Sequence, residues 1–184
     1  MNIIFAGGSG VRMGAGMPKQ FLEINGKPII IHTLDNFQNS PSIDKIYISC
    51  KKDYITTLQD LTKRFAITKV CGIVEGGSNG QDSIYRALRA ADAENDKDAI
   101  VLIHDGVRPF VSEEVIQKNI ECVKQHGSAV TCTSFFETPI LSKGGEEVEE
   151  MPLKKEMFTA QAPQSFYLGE IMDAHKKMRE LNPD

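Results

Sequence analysis

The stretch IIFAGGSGVRMGAGMPKQF, residues 3–21, decides the fold of this chain. It opens with an apolar run of strand length and continues with Gly7, Gly8, Gly10, Gly14 and Gly16. Glycine allows positive φ and close approach of backbone amides to a ligand, and successive amides in such a loop form an anion-binding concavity. Arg12 and Lys19 supply the loop's charges, and two cations favour a polyphosphate over one carboxylate. The stretch therefore predicts a nucleoside triphosphate site after the first strand.

The glycines alone leave a second interpretation open, since a plain strand-to-helix connection is also glycine-rich. Two familiar phosphate motifs do not match. A Walker A loop ends in Gly-Lys-Ser/Thr, which this chain does not contain. The dinucleotide fingerprint G-x-G-x-x-G opens directly into a helix, whereas Met13 takes the place of its third glycine and Pro18 interrupts any early helix.

Length and composition predict one α/β domain that works inside the cell. The chain has 184 residues, enough for a substantial core. A net charge of −4 argues against a nucleic-acid surface. The four cysteines are scattered without a C-x-x-C pair, which favours reduced thiols. No apolar run has membrane-spanning length and no signal pattern opens the chain, so we expect a cytoplasmic protein with no nucleic-acid or membrane partner.

Hydrophobic periodicity predicts strands that alternate with helices. The strand patterns fall at residues 3–6, 45–50, 70–74, 99–103 and 129–135. The helix patterns fall at residues 29–37, 53–65, 83–93 and 168–181, with a further helix between the cap residue Ser112 and the stop residue Gly127. This alternation predicts an α/β fold with a mostly parallel sheet covered by helices on both faces.

Residues 138–158 break the alternation. Gly144 and Gly145 separate two short extended pieces, and an acidic run follows them. This pattern indicates a hairpin that projects from the body, although a solvated loop would have a similar composition.

Polar residues follow two further strands at the edge where open α/β sheets bind ligands. Asp105, directly after an apolar strand, is well placed to hold Mg²⁺ between phosphate oxygens, because that ion prefers one or two carboxylates plus phosphates and waters. Arg108 offers a planar fork for a second phosphate. A simple turn, with Arg108 paired to an acid, is the alternative.

The run GGSNGQDS, residues 76–83, also follows a predicted strand and opens a helix. Its amides and the Ser83 hydroxyl could contact a base or ribose, but a plain N-cap role for Ser83 fits the pattern better. His104 and His175 have no second ligand at a suitable spacing, so we expect packed or hydrogen-bonded rings. Together the three strand ends favour phosphoryl or nucleotidyl transfer, in which catalysis is mostly positioning and charge neutralisation.

Four segments closely resemble the signature of the 2-C-methyl-D-erythritol 4-phosphate and ribitol 5-phosphate cytidylyltransferases. They are AGGSGVRMGAGMPKQF (6–21), the GG…DS run (76–83), HDGVRP (104–109) and APQSF (162–166), and they span nearly all of the chain. The resemblance implies one nucleotidyltransferase domain over residues 1–184, a Rossmann-like three-layer sandwich. It implies Mg²⁺-dependent transfer of CMP from CTP to a polyol phosphate, with pyrophosphate released. It also implies a homodimer, formed through an arm that matches residues 138–158.

The resemblance assigns roles to residues at matching positions. Arg12 and Lys19 match the catalytic pair that stabilises charge on the CTP phosphates. Nucleotide contacts are implied for Ala6, Gly7, Gly8, Gly10, Gly77, Ser83 and Asp105. Acceptor contacts are implied for Asp105, Arg108, Thr138 and Lys154, and Asp105 is also the implied metal ligand.

Three positions depart from the family pattern. Lys154 stands where the family has arginine, Ala162 where it has threonine, and Gly80 where it has arginine. These changes put the acceptor alcohol, and hence an isoprenoid or a wall-polymer pathway, in doubt more than the reaction. The family also continues for about another strand and helix beyond Asp184, with a further acceptor-binding lysine. A sugar-phosphate nucleotidyltransferase using another nucleotide and a non-catalytic nucleotide-binding relative remain the alternatives.

Overall fold

The computed structural model describes residues 1–7 and 17–181. Its strands are β1 (Asn2–Ala6), β2 (Glu23–Ile24), β3 (Lys27–Pro28), β4 (Ile46–Cys50), β5 (Val70–Glu75), β6 (Ile100–Asp105), β7 (Ser128–Ser134) and β8 (Phe158–Tyr167). Its helices are α1 (Ile29–Asn39), α2 (Ile55–Arg64), α3 (Gly80–Asp92), α4 (Glu113–His126) and α5 (Leu168–Leu181). Short 3₁₀ turns lie at Lys19–Phe21, Lys52–Tyr54 and Lys154–Glu156.

The main sheet has the strand order β5-β4-β1-β6-β8-β7 within the described residues. β1 pairs parallel with β4 and β6, and β4 pairs parallel with β5. β8 pairs antiparallel with both β6 and β7, so it alone in this described sheet opposes the common strand direction. The predicted mostly parallel sheet is thus confirmed.

Helices cover both faces of this sheet. Neighbouring β1 residues point to opposite faces, because side chains alternate along a strand. Ile4 belongs to a core cluster with buried residues of α1, α2 and α4. Ile3 belongs to a second cluster with buried residues of α3 and α5. The expected three-layer sandwich follows from these two cores.

The predicted helix ends after β6 are also confirmed. The Ser112 hydroxyl accepts a hydrogen bond from the Val115 amide at the start of α4. Gly127 ends the helix with φ of 85°, a conformation that glycine adopts without a Cβ penalty.

In the main sheet one strand was not predicted, and the short two-stranded sheet of β2 and β3 was not predicted either. β8 contains Gln161, Pro163 and Gln164, and such residues obscure the alternation that marks a strand. Proline inside a strand pattern argues against a strand, yet β8 lies between β6 and β7 in the described sheet.

The segment predicted as a hairpin closes at a single antiparallel bridge, between Leu141 and Glu150. The Leu141 amide donates to the Glu150 carbonyl at 2.8 Å. Gly145 turns the chain between them with φ of 80°. The segment is therefore an exposed loop closed by one isolated bridge, and it contains no longer pair of β-strands. We call residues 138–158 the arm.

All four cysteines lie in the described part of the chain, and all are free thiols. Burial raises the pKa of the Cys50 thiol to about 11, so this thiol is inert near neutral pH. Among residues 1–7 and 17–181, no helix has both the length and the apolar character needed to cross a membrane.

Candidate functional site

The candidate site lies at the carboxyl edge of the parallel strands. Phe5 of β1 is the register partner of Asp105 at the end of β6. On the other side of β1, Ala6 is paired with Cys50, which is paired in turn with Glu75 at the end of β5. The segments that follow β1, β5 and β6 therefore leave the sheet at the same edge.

A buried glutamine holds the Lys19 turn at this edge. Gln20 is 1% exposed, and its Nε2 donates to the Ala6 carbonyl at 2.6 Å. The next residue, Phe21, stacks on the Tyr54 ring with centroids 4.7 Å apart. These two contacts place half-buried Lys19 beside the end of β1. Sequence analysis gave Gln20 no role, although it stands in the P-K-Q motif next to Lys19.

The residues after β5 fold around the Ser83 hydroxyl. This hydroxyl donates to the Asn79 carbonyl at 2.8 Å and accepts from the Gly77 amide at 3.0 Å. A Cβ built on Gly7 or Gly76 would lie 3.1 Å from the Ser83 oxygen, so both glycines pack closely against it. The structure therefore brings Gly7, Gly77 and Ser83 together at this edge. We call residues 76–83 the nucleotide loop, after the nucleotide contact that the sequence predicts for them.

The N-cap prediction for Ser83 was wrong. α3 begins at Gly80, and the Asn79 side chain caps it by accepting from the Asp82 amide at 2.9 Å. Ser83 lies inside the first turn and is 1% exposed. Its hydroxyl organises the nucleotide loop from within, and its contact with a nucleotide stays a prediction.

Asp82 is a second residue that sequence analysis missed. Its carboxylate accepts from the Ser78 amide at 3.3 Å and from Arg86 Nε at 3.2 Å, and it pairs with Arg179 of α5. A Cβ on Gly77 would lie 1.9 Å from the Asp82 Oδ2 atom, so any other residue at position 77 would force the loop or the Asp82 side chain to shift. Burial raises the pKa of Asp82, but the Arg179 hydrogen bond and both guanidinium charges outweigh burial and lower it. Asp82 is thus an ionised carboxylate at neutral pH.

Asp105 and Arg108 form an ion pair after β6. Arg108 Nε donates to Asp105 Oδ2 at 2.6 Å, and its Nη1 donates to Gln161 Oε1 at 2.8 Å. The Asp105 side chain is 27% exposed and the Arg108 side chain is 49% exposed, so both are open to a ligand. Gln161 lies on β8, which explains why sequence analysis did not assign it to the site.

The buried His104 side chain supports the turn that contains Asp105 and Arg108. It is 1% exposed, its Nε2 is 2.9 Å from the Arg108 carbonyl, and its ring packs edge-on against Phe37. Burial lowers the pKa of His104. His175 similarly lies against the ring of Tyr85, with centroids 5.6 Å apart. Both rings are packed as predicted.

The described residues contain no cluster of three or more His, Cys, Asp or Glu side chains that would enclose a metal ion. An accessible carboxylate such as Asp105 fits Mg²⁺, which commonly binds through one or two carboxylates, phosphate oxygens and waters.

Other predicted site residues lie elsewhere or outside the described ranges. Thr138 and Lys154 are exposed on the arm, and no described hydrogen bond or ion pair joins them to Asp105 or Lys19. Gly8, Gly10 and Arg12 lie outside the described residues.

Comparison with known proteins supports a common origin over almost the whole chain. A ribitol-5-phosphate cytidylyltransferase of Streptococcus agalactiae serotype V is 48% identical over 96% of this chain and 74% of its own length. A protein of the same name from Vibrio parahaemolyticus is 44% identical over 97% of this chain and 75% of its own. A 2-C-methyl-D-erythritol 4-phosphate cytidylyltransferase of Clostridium botulinum is 37% identical over 98% and 77%.

Solved structures agree with this assignment. The crystal structure of 4-diphosphocytidyl-2C-methyl-D-erythritol synthase from Anaerococcus prevotii matches with a TM-score of 0.84 at 27% identity, covering 100% of this chain and 76% of that chain. Residues 1–182 match the family described as IspD, 2-C-methyl-D-erythritol 4-phosphate cytidylyltransferase. The chain therefore belongs to the IspD family of cytidylyltransferases.

Proposed function

We propose that this chain transfers the CMP group of CTP to D-ribitol 5-phosphate and forms CDP-ribitol. An oxygen of the acceptor phosphate attacks the α-phosphorus of CTP, and the bond from that phosphorus to the bridging oxygen of the β-phosphate breaks. Pyrophosphate leaves with the electron pair. The observation that carries the proposal is the shared sheet edge, where Gln20 anchors the Lys19 turn to Ala6 and Phe5 is in register with Asp105.

On this edge Lys19 would stabilise the negative charge that develops on the α-phosphoryl group and on pyrophosphate. Arg12, in the same glycine-rich segment of the sequence, is proposed as its partner. The amides around Gly7 would hold the triphosphate, and the nucleotide loop would contact cytosine and ribose. Preorganised donors and cations of this kind usually supply the largest share of catalysis in phosphoryl transfer.

Asp105 is the proposed ligand for Mg²⁺, together with CTP phosphate oxygens. The ion, when bound, neutralises charge on the triphosphate. Arg108 is then available for the acceptor phosphate, and Gln161 orients its guanidinium. A planar fork suits a phosphate better than a lysine ammonium does.

Ribitol 5-phosphate is the preferred acceptor because the relatives at 48% and 44% identity carry that name, whereas the relative named for methylerythritol phosphate is 37% identical. Lys154 and Ala162, which depart from the pattern expected for the family, belong to the acceptor side of the proposed site. Thr138 is proposed on the same side.

A homodimer is proposed through the arm. Its segment exposes several large apolar side chains, and exposed apolar surface of this kind is often buried in protein–protein contacts. Within the arm these side chains are Ile140, Leu141, Val148, Met151, Leu153 and Phe158, and the exposed Phe136 lies just before it. In such a dimer Thr138 and Lys154 would serve the acceptor site of the partner subunit. We also propose that the reaction takes place in the cytoplasm.

The test is the mass of the product formed with CTP, Mg²⁺ and separate alditol phosphates. The expected product is CDP-ribitol, with a much lower rate for 2-C-methyl-D-erythritol 4-phosphate. Each of the four nucleoside triphosphates is then paired with ribitol 5-phosphate, and only CTP should release pyrophosphate rapidly. CTP binding without pyrophosphate release from any polyol phosphate would instead identify a non-catalytic relative.

A further inference from the structure

An arginine near the end of α5 reaches the nucleotide loop. Arg179 pairs with Asp82, which is 97 residues away in the chain. Asp82 is the residue whose other carboxylate oxygen accepts from the Ser78 amide. Helix α5 therefore contacts, through one carboxylate, the backbone of the loop that carries Gly77.

The packing between α3 and α5 fixes the direction of this arginine. The Arg179 guanidinium lies over the Tyr85 ring, 4.2 Å from its centroid. The same ring packs against His175, one helical turn earlier on α5. Deeper in this interface, Leu168 and Met172 join the apolar cluster that contains Leu88. The guanidinium thus has a fixed ring on one side and a carboxylate on the other.

The charges at this place matter for a nucleotide. Asp82 is ionised, and a lone carboxylate in a loop that receives a polyanion would repel it and would be free to rotate away from the Ser78 amide. Arg86 also contacts Asp82, but through one nitrogen four residues along the same helix. Arg179 brings a second guanidinium from another helix, so the Asp82 group carries a net positive charge and a fixed orientation.

We propose that Arg179 is a positioning residue that holds Asp82 and the Gly77–Ser78 backbone in the conformation that binds the nucleoside part of CTP. It touches no substrate and acts through Asp82. The role rests on the proposed function, because it presumes that the loop binds CTP. It extends that function by making α5 part of the nucleotide site.

The test is steady-state kinetics on Arg179→Met, Asp82→Asn and Arg179→Lys, with Lys177→Met as the matched control. Lys177 is exposed on the same helix. The first two variants should each raise the KM for CTP about tenfold, the size of losing one well-oriented charged contact. Their kcat and KM for ribitol 5-phosphate should stay within about twofold, since only nucleotide binding changes. Arg179→Lys should be intermediate, and the Arg179→Met/Asp82→Asn double variant no worse than either single change.

Two further measurements separate positioning from stability. Calorimetric titration with CTP, which needs no turnover, should show the same loss of affinity in Arg179→Met. The Ser78 amide should exchange its hydrogen faster in that variant than in Lys177→Met. If Arg179→Met does not fold, Asp82→Asn and Arg179→Lys decide the question.

An unchanged KM for CTP in the variants, with an active wild type, overturns the role of Arg179 and leaves the proposed function standing. Equal rises in the KM values of both substrates also overturn it, since they indicate a general loss of structure. A wild type that neither binds CTP nor releases pyrophosphate defeats the proposed function itself.

Discussion

The side-chain amide of Gln20 donates to the main-chain carbonyl of Ala6 at 2.6 Å, and this bond ties the Lys19 turn to the end of the central strand β1. Gln20 is buried, so the bond is shielded from water. A buried acceptor that loses its donor costs the full penalty of desolvation. The position of Lys19 against the sheet edge therefore depends on a neighbour that performs no chemistry.

Replacing Gln20 with leucine should lower both stability and turnover. The free energy of unfolding should fall by about 1–3 kcal/mol, because the Ala6 carbonyl loses its donor. The kcat should fall about tenfold or more, since small misplacements of a catalytic group are costly. Urea unfolding and pyrophosphate release measure the two effects, with the exposed Gln125→Leu as control. Full kcat in Gln20→Leu would show that Lys19 does not need this anchor.

Gly77→Ala should weaken CTP binding, whereas Gly80→Ala should not. A Cβ at Gly77 would lie 1.9 Å from the Asp82 carboxylate, so the loop must shift, but a Cβ at Gly80 meets nothing within 4 Å. The expected KM for CTP rises about tenfold in the first variant, equivalent to losing one good contact. Gly80→Ala should keep the wild-type KM and gain up to about 1 kcal/mol of stability from helix propensity. A wild-type KM for CTP in Gly77→Ala would place the nucleotide elsewhere.

Asp105→Asn should impair catalysis with little effect on folding. The Asp105–Arg108 pair is partly exposed, and such pairs contribute about 1 kcal/mol or less. If Asp105 binds Mg²⁺, kcat should fall about 100-fold, the scale for one charge-stabilising group. The Mg²⁺ concentration that gives half-maximal rate should also rise, and EDTA should abolish wild-type activity.

The control for this variant is Asp98→Asn, at the exposed turn before β6. An unchanged Mg²⁺ requirement in Asp105→Asn would remove Asp105 from the metal site.

The Asp82–Arg179 pair should make stability depend on pH in the acid range. Asp82 has a lowered pKa in the folded protein, so its unfolded form binds a proton first as the pH falls. The stability that the ionised Asp82 contributes is therefore fully present at pH values well above 3.8, the ordinary pKa of an aspartate. It is lost as the pH drops below 3.8 and through the lower pKa that Asp82 has in the folded protein. Because Arg179 is 44% exposed and screened by solvent, Arg179→Met should cost about 1 kcal/mol or less at pH 7.

Urea unfolding of wild type and Arg179→Met from neutral to acid pH checks this prediction. The difference in the free energy of unfolding between the two proteins should shrink as Asp82 protonates. A gap that stays constant over the whole range would assign the stabilisation to the stacking of Arg179 on Tyr85.

The parallel sheet and its helices were predictable because each element carries its own pattern. β1 and β6 each contain a continuous apolar run, and the helices repeat apolar residues at helical spacing. β8 lacks such a pattern, since Gln161 and Pro163 interrupt it. Its place between β6 and β7 comes from long-range pairing, which no local stretch of sequence reveals.

In the candidate site, too, local patterns were predictable and long-range contacts were not. Glycines and charged residues directly after strands could be assigned to one edge because parallel strands end together. The partners that fix them could not. Gln20 finds Ala6 across 14 residues, and Arg179 finds Asp82 across 97, so both contacts depend on the completed tertiary structure.

The most direct test of the site is the rate of pyrophosphate release by Lys19→Ala at saturating CTP and ribitol 5-phosphate. Lys118→Ala, on the exposed face of α4, is the matched control. The kcat of Lys19→Ala should fall about 10²–10³-fold, the cost of removing one preorganised charge-stabilising group, while Lys118→Ala keeps the wild-type value. Near-wild-type turnover in Lys19→Ala would contradict the assignment of catalysis to this edge of the sheet.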